Sequence, residues 1–387
     1  MKKLIALLLA VGMIFSLAAC TSNKKETTAT ENVVDEETDQ SVGEVLEEVV
    51  EDADTPATVK IAYVTDLNGD IKDHSFNQYS YQGVTLFCEE SGLKCNYYTP
   101  AADTDEARRN AIDQAIAEGY GVIVMAGSLF GPVAADAAAA NPNVLFLALD
   151  VTIDDLDADS CPENLALICY REEQAGYLAG YAVVKGGYTE LGFLGGDTVP
   201  AVVRYGYGFV QGAEAAAAEL DIDNVHINYW YSGSFNTNDE ITTKVDNWYV
   251  SGTEVIFVCG GSIYLSSIAS AEANECKVIG VDVDQSADSE CIITSAMKDL
   301  SHSVQLALTD AADNNWTWPE TYAGTCQYLG AAENGIGLPM ESTTIEGFTQ
   351  EDYDALYAAL ADGSITVDDS CDPAVHPETS RVTVYWE

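Results

Sequence analysis

Carboxylates, amides and two phenylalanines recur directly after short apolar runs. After Val59–Thr65 come Asp66-Leu67-Asn68-Gly69-Asp70 and then Asp73-His74-Ser75-Phe76-Asn77. Later runs are followed by Gly127-Ser128, by Asp150, by Gly195-Gly196-Asp197 and by Ser232-Gly233-Ser234-Phe235-Asn236. The last ones end in Gly260-Gly261-Ser262, in Asp282-Val283-Asp284-Gln285 and in Ser295-Ala296-Met297-Lys298. Small residues, carboxylates, amides and two phenylalanines would thus face one cleft. A carboxylate accepts from two neighbouring hydroxyls, and an amide both donates and accepts. Each residue also has a plainer use. Phe76 can pack into a core, and Asp66, Asn77 and Asp150 can cap helices or close turns. Lys298 can pair with a neighbouring acid, and Gly261 can serve a strand-end turn. The chain carries no GxSxG, no HExxH and no phosphate-binding GxxxxGK loop, and the reading is of a protein that is not an enzyme and has no cofactor. A glycosidase-type carboxylate pair is not singled out by acids that are abundant everywhere.

The elements that must position these residues alternate. Ten candidate strands run from Val59–Thr65 to Ile292–Ser295. Between them lie helical patterns, among them Phe76–Ser91, Thr104–Glu118, Glu172–Lys185, Tyr205–Leu220 and Asp239–Val250. Alternation of this length predicts an α/β protein whose parallel sheets are covered by helices on both faces. Ten strands divide better into two lobes of five to six than into one open sheet. In such sheets ligands bind at the carboxyl ends of the strands, which is where the polar clusters stand.

The 387 residues include 63 acidic and 16 basic ones, a net charge of -47. A polyanion would be repelled, which excludes nucleic acid as a partner and a basic patch as a route to lipid. With 21 Tyr, 10 Phe and 5 Trp the chain can still build a core. Lys2 and Lys3 precede an apolar run, Leu4–Ala19, that has the layout of a signal peptide. It ends Leu17-Ala18-Ala19-Cys20, which resembles the lipobox of bacterial lipoproteins. Cys20 is the expected lipidation site, and two acyl chains suffice for stable anchoring. Residues 20–56 are polar, acidic and nearly free of aromatics, an expected disordered tether. Nine further cysteines follow, for which Cys88–Cys95 and Cys161–Cys169, and then Cys276–Cys291 and Cys326–Cys371, are the expected pairings by separation. The four histidines are far apart and no CxxC occurs, so no metal site is expected.

Several motifs in order carry a resemblance: TD-x-x-G-x-x-x-D-x-SFNQ from Thr65, YLAGY from Tyr177, a strand ending in Gly260-Gly261, GVDVDQ from Gly280, and the final S-x-x-K from Ser295. With the lipobox they resemble the basic membrane protein family, nucleoside-binding lipoproteins of ABC importers related to the purine nucleoside receptor A group, from about Val59 to Gly337. The resemblance implies a type I periplasmic-binding-protein fold, two doubly wound parallel-sheet lobes joined by three crossovers near Cys169–Arg171, Gln285–Ile292 and Gln327–Gly337. The corresponding spans are 57–169 with 292–327 for the N-terminal lobe and 170–291 with 328–387 for the C-terminal lobe. It implies a monomer that captures a nucleoside, a purine first, and delivers it to a permease at the extracytoplasmic face of the cell membrane. Phe76 would stack on the base, with Phe235 (or Tyr231 or Trp230) as the opposing wall. Asp66 and Asn77 would meet the base edge, with Asp150 beside them. Asp282 and Lys298 would hold the ribose, and Gly261 would let backbone approach the sugar. His74 stands where the family has lysine or arginine, and the segment Gly127–Gly131 also departs from its pattern, so the base preference stays open. A sugar, autoinducer or other small-molecule receptor, with or without a signalling partner, is the alternative on the same fold.

Overall fold

Val122–Ala126 (VIVMA) and Leu145–Leu149 (LFLAL) are apolar throughout, and every one of their residues is buried. Strands of that kind need cover on both faces, which a parallel sheet between helical layers supplies. The computed structural model describes residues 59–65 and 71–387, and its strands form two sheets of this type. The first holds β1 (Lys60–Val64), β2 (Lys94–Tyr98), β3 (Val122–Ala126), β4 (Leu145–Leu149) and β5 (Leu165–Tyr170). The second holds β6 (Glu190–Gly195), β7 (Val225–Tyr231), β8 (Val255–Cys259), β9 (Lys277–Asp282) and β10 (Ile292–Lys298). Three later strands extend them: β11 (Cys326–Leu329) the first, β12 (Ile336–Gly337) and β13 (Val382–Trp386) the second. The spatial orders are β11-β5-β4-β3-β1-β2 and β12-β10-β9-β8-β6-β7-β13. All neighbours are parallel except β12 against β10. Each lobe therefore repeats one doubly wound pattern, with switch points between β1 and β3 and between β6 and β8.

Helices α1 (Phe76–Ser91), α2 (Asp105–Ala117) and α3 (Gly131–Ala140) belong to the first lobe. Helices α4 (Glu172–Lys185), α5 (Pro200–Leu220), α6 (Asp239–Val250) and α7 (Tyr264–Ala273) belong to the second. Helices α4 and α5 press together through two glycine pairs. A Cβ on Gly176 would lie 2.1 Å from the Tyr205 carbonyl, and one on Gly208 would lie 2.0 Å from the Glu173 carbonyl. Gly180 and Gly212 repeat the contact one turn on. Only residues without a side chain allow that approach, and it brings the starts of the two helices, Glu172 and Arg204, within bonding distance.

The expected boundary at 292 moves. Ile292–Lys298 pairs in parallel with β9 and is a strand of the second sheet, reached through the helix-free link Val283–Cys291. The return to the first lobe follows Lys298, where α8 (Leu300–Asp313) packs on α1. A Cβ on Gly83 would lie 2.5 Å from the Ser301 carbonyl. The other crossovers leave β5 at Tyr170 and leave β11 at Leu329. The chain after Leu338, uninterpreted in sequence, forms α9 (Gln350–Ala361), started by a Thr349/Asp352 capping box, and then wraps α5. Tyr207 and Gln211 bond the backbone at Asp372 and Asp368. The Glu214 carboxylate accepts from the amides of Ser380, Arg381 and Val382 at the entry to β13.

All nine cysteines of the described residues are free thiols, which corrects the expected disulfides. Cys88 and Cys95 do meet, as hydrogen-bonded thiols. Cys169, however, stands 3.6 Å from Cys326 rather than pairing with Cys161. Cys371 is an exposed thiol on the segment that wraps α5 of the second lobe. The signal segment 1–19, Cys20 and the tether 20–56 lie outside the described residues.

Candidate functional site

The carboxyl ends of both sheets open on one cavity of about 300 Å³, at the small end of ligand pockets, roughly 300–1,000 Å³. Phe76, Asn77, Asp150, Phe235, Gly261, Asp282 and Lys298 all line it. Asp66 lies outside the described residues, although Thr65, the residue before it, ends the first strand run.

From the first lobe, α1 points its N-terminus into the cavity. Asp73 holds that end: its Oδ1 accepts from the amides of Ser75 and Gln78 at 2.8 and 3.1 Å, its Oδ2 from the Asn77 amide at 3.2 Å. A carboxylate at a helix N-terminus complements the orphan N–H groups and the helix dipole. Asp73 also takes a hydrogen bond from Asn77 Nδ2 at 3.2 Å, which turns Asn77 Oδ1 into a buried acceptor with no partner among the described residues. Phe76 follows directly and is half-buried at the cavity wall.

From the second lobe, Phe235 sits on a seat of glycines. A Cβ on Gly196 would lie 2.5 Å from its ring, and one on Gly260 2.7 Å. Gly260 and Gly261 have φ of 136° and 50°, a region where a side chain is strained. The two glycines after β8 therefore both make the turn and leave room for the ring.

Charge is concentrated at the floor. Lys298 Nζ lies 2.7 Å from Asp150 Oδ2 and 3.0 Å from Glu172 Oε1. It also sits over the rings of Phe76, Tyr170 and Tyr205 at 5.1–5.5 Å, a cation–π setting. Burial works against its charge, but Asp150, Glu172 and Asp282 outweigh it and hold the ammonium protonated, its pKa raised. Glu172 is braced from behind by Arg204 at 2.6 Å. Burial opposes the Glu172 charge too, yet Arg204 and Lys298 together pull its pKa below the ordinary value. Asp150 has only a share of one cation, and burial pushes it up to about 6. Its Oδ1 is buried without a partner among the described residues. Asp282 Oδ2 accepts from Ser75 Oγ across the cleft at 2.5 Å, and the Phe76 amide also points at it. Burial raises its pKa as well.

The cavity thus offers unpaired acceptors, two aromatic walls and a buried ammonium already shared by carboxylates. It asks its occupant for hydroxyl or N–H donors and a flat apolar face, and it offers a phosphate no uncommitted cation at the floor. Among the described residues no cluster of His, Cys, Asp and Glu could hold a metal ion.

Sequence reasoning did not single out Glu172, Arg204, Tyr205 or Ser75. Arg204 was obscured because the helix pattern starts at Tyr205 in sequence, whereas α5 begins at Pro200. Proline at the first helical position was the available signal. Ser75 stood inside the SFN motif, but its partner is 207 residues away, and no local pattern reports that.

Two lobes of this topology with a cleft between strand ends define the type I periplasmic-binding fold. A solute-binding protein of an ABC transporter system from Aeropyrum pernix K1 superposes with a TM-score of 0.70 at 20% identity, over 82% of this chain and 95% of its own. The particular family follows from sequence. The chain belongs to the Bmp family, the PnrA-like ABC transporter substrate-binding proteins, whose model matches residues 59–368. It is 27% identical over 336 residues to the ABC transporter nucleoside-binding protein BmpA of Lactococcus lactis, covering 80% of this chain and 89% of that one. It is also 27% identical over 299 residues to basic membrane protein B of Borreliella burgdorferi, covering 73% and 81%. The family is one of substrate-binding proteins.

Proposed function

We propose that this protein captures a nucleoside, a purine nucleoside first, between its lobes and delivers it to the permease of an ABC importer. The observation that carries the reading is the pairing of two phenylalanines from opposite lobes with unpartnered buried acceptors in one cavity. A base stacks between Phe76 and Phe235, and its edge donates to Asn77 and Asp150. The ribose hydroxyls donate to Asp282, while Lys298 supplies a donor to a sugar oxygen, and the Gly261 backbone closes over the sugar. Asp66 joins the base edge. The name of the Lactococcus lactis relative supports this, and so does the three-carboxylate floor, which disfavours a phosphate.

The protein acts as a monomer tethered by a lipid on Cys20, with residues 20–56 as the leash. Among the described residues no helix is long and apolar enough to cross a membrane, so the anchor carries the membrane association. Cys20→Ser releases the protein from the membrane fraction, and persistence there would defeat the anchor.

Calorimetric titration of residues 57–387, unfolded and refolded to strip carried ligand, tests the binding. Inosine, guanosine, adenosine, uridine and cytidine are compared with ribose and GMP. One-to-one binding of nucleosides with ribose and GMP weak supports the reading and ranks the bases. Binding of ribose alone, or silence from the folded protein across all nucleosides, sinks it in favour of a sugar or signalling receptor.

A further inference from the structure

Cys169 and Cys326 sit on neighbouring strands, β5 and β11, at the roots of two of the three lobe crossovers. The register pairs Cys326 with Leu167 and Tyr328 with Cys169. Leu167 and Cys169 are two apart on one strand, so both cysteines face the same side of the sheet. Their sulfurs are 3.6 Å apart and converge on one acceptor, the Val151 carbonyl, at 3.1 Å from Cys169 and 3.8 Å from Cys326. A bond between them needs an approach of about 1.5 Å to reach a normal S–S length. Neither thiol has a part in the cavity.

We propose that Cys169 and Cys326 are a disulfide-forming pair, oxidised by thiol–disulfide exchange with a small-molecule or protein disulfide. Their exposure assigns the order. Cys326 is half-buried and Cys169 fully buried, so the incoming disulfide reaches Cys326. The contact with Cys169 also holds the Cys326 thiol below its ordinary pKa, and the thiolate is the nucleophile. Cys326 attacks one sulfur of the oxidant and breaks its S–S bond. The departing thiolate takes up the proton that Cys326 gave up. Cys169 then loses its proton, attacks Cys326 Sγ and expels the second thiolate, which takes that proton. Two protein thiols are oxidised and one disulfide is reduced to two thiols.

The bond would join residues 157 apart in sequence, and cross-links that close long loops restrict the unfolded chain most. Because β5 and β11 are already hydrogen-bonded neighbours, the folded state changes little. The pair thus fastens the first and third crossovers to each other where they leave the first lobe. Cys161 is the competitor: it lies in the same cluster, near enough for a Cys326 thiolate to raise its pKa. Its sulfur, however, faces the carbonyls of Pro162 and Leu165 at 3.9 and 3.6 Å.

The test uses the full chain, held folded in oxidised glutathione, then alkylated and mapped by mass spectrometry. A Cys169–Cys326 cross-linked peptide is expected, together with a melting temperature on the order of 5–10 °C above the reduced protein. Cys161→Ser keeps the cross-link, and Cys326→Ser removes it and leaves Cys169 alkylated. A Cys161–Cys326 or Cys161–Cys169 link in the unmodified chain overturns the proposal. So does full alkylation of Cys169 and Cys326 while exposed Cys371 carries glutathione, which shows that the oxidant was active. If Cys326→Ser fails to fold, Cys169→Ser and the map of the unmodified chain decide the matter. No nucleoside enters the experiment, so its outcome is separate from that of the binding titration.

Discussion

The two lobes place an aspartate at equivalent points, Asp150 after β4 and Asp282 at the end of β9. Both adopt left-handed backbone, with φ of 57° and 66°, a conformation aspartate tolerates better than most residues. The repeated topology accounts for that likeness. Their partners differ. Asp150 in the first lobe is held by Lys298, which β10 of the second sheet delivers. Asp282 in the second lobe is held by Ser75, which stands before α1 of the first. Each lobe's carboxylate is bonded by a donor from across the cleft, once as an ion pair and once as a neutral hydroxyl. The ion pair sits at a crossover, with Glu172 and Arg204 behind it. The hydroxyl bond sits at the start of α1, where a ligand hydroxyl can replace it. The Asp150 Oδ2 is thus built into the frame, with Oδ1 left as an acceptor, and the Asp282 bond is available for exchange.

The largest expected effect comes from removing the frame cation. Lys298→Met strands Asp150 and Glu172 without their shared ammonium, and breaking a buried ion pair from one side costs about 3–5 kcal/mol. Urea melts at pH 7 read this loss. Ser75→Ala in the same assay costs less, about 1.5–3 kcal/mol, since Asp282 retains the Phe76 amide. Equal losses would erase the distinction between frame and exchangeable carboxylate.

The parts of this arrangement that were legible in sequence are those written locally. Each of the ten candidate strands forms, because apolar runs such as Val255–Cys259, bounded by turn residues, have few other fates. Phe76, Asn77, Asp150, Phe235, Gly261, Asp282 and Lys298 reach one cavity because each stands at the carboxyl end of a strand or at a helix start beyond one. What was hidden depends on long-range pairing. The lobe assignment of Ile292–Lys298 turns on which sheet a strand joins. Arg204 behind Glu172 depends on glycine-mediated contact between α4 and α5. The edge strand Val382–Trp386 alternates in burial, but without its partner β7 that short pattern said little.

The pH dependence of stability sharpens the same comparison. Asp150 is raised from an ordinary value near 3.8 to about 6, so between those pH values the folded state holds more protons than the unfolded one. Stability then falls as pH rises through that window, by at most about 1.4 kcal/mol per pH unit from this group. Asp150→Asn removes that slope from a series of melts between pH 4 and 7. A slope unchanged from the parent protein would mean that Asp150 ionises at its ordinary value despite its burial.

Truncating the walls compares the lobes directly. Phe76→Ala and Phe235→Ala each forfeit one stacking face, worth about 1–3 kcal/mol per base, or roughly 5- to 150-fold in dissociation constant. Losses for all nucleosides and none for ribose are expected from both. A loss confined to Phe76→Ala would make the first lobe the base site and leave Phe235 as packing on its glycine seat.

The smallest effect tests the exchangeable bond itself. In this structure Ser75 occupies Asp282 Oδ2, whereas a ribose must take that oxygen for its own hydroxyl. Ser75→Ala therefore removes a bond that favours closure without ligand and frees an acceptor that favours ligand. A hydrogen bond to a charged group contributes about 1.5–3 kcal/mol, but here one such bond is exchanged for another. The net change in nucleoside affinity is then under about 1 kcal/mol, less than roughly fivefold, by calorimetry. The 2′-deoxynucleosides, which offer Asp282 one hydroxyl fewer, discriminate further: their penalty relative to ribonucleosides grows in Ser75→Ala, because the serine no longer occupies the vacated oxygen. A penalty identical in both proteins would show that Ser75 and the ribose do not compete, and Asp282 would join Asp150 as part of the frame.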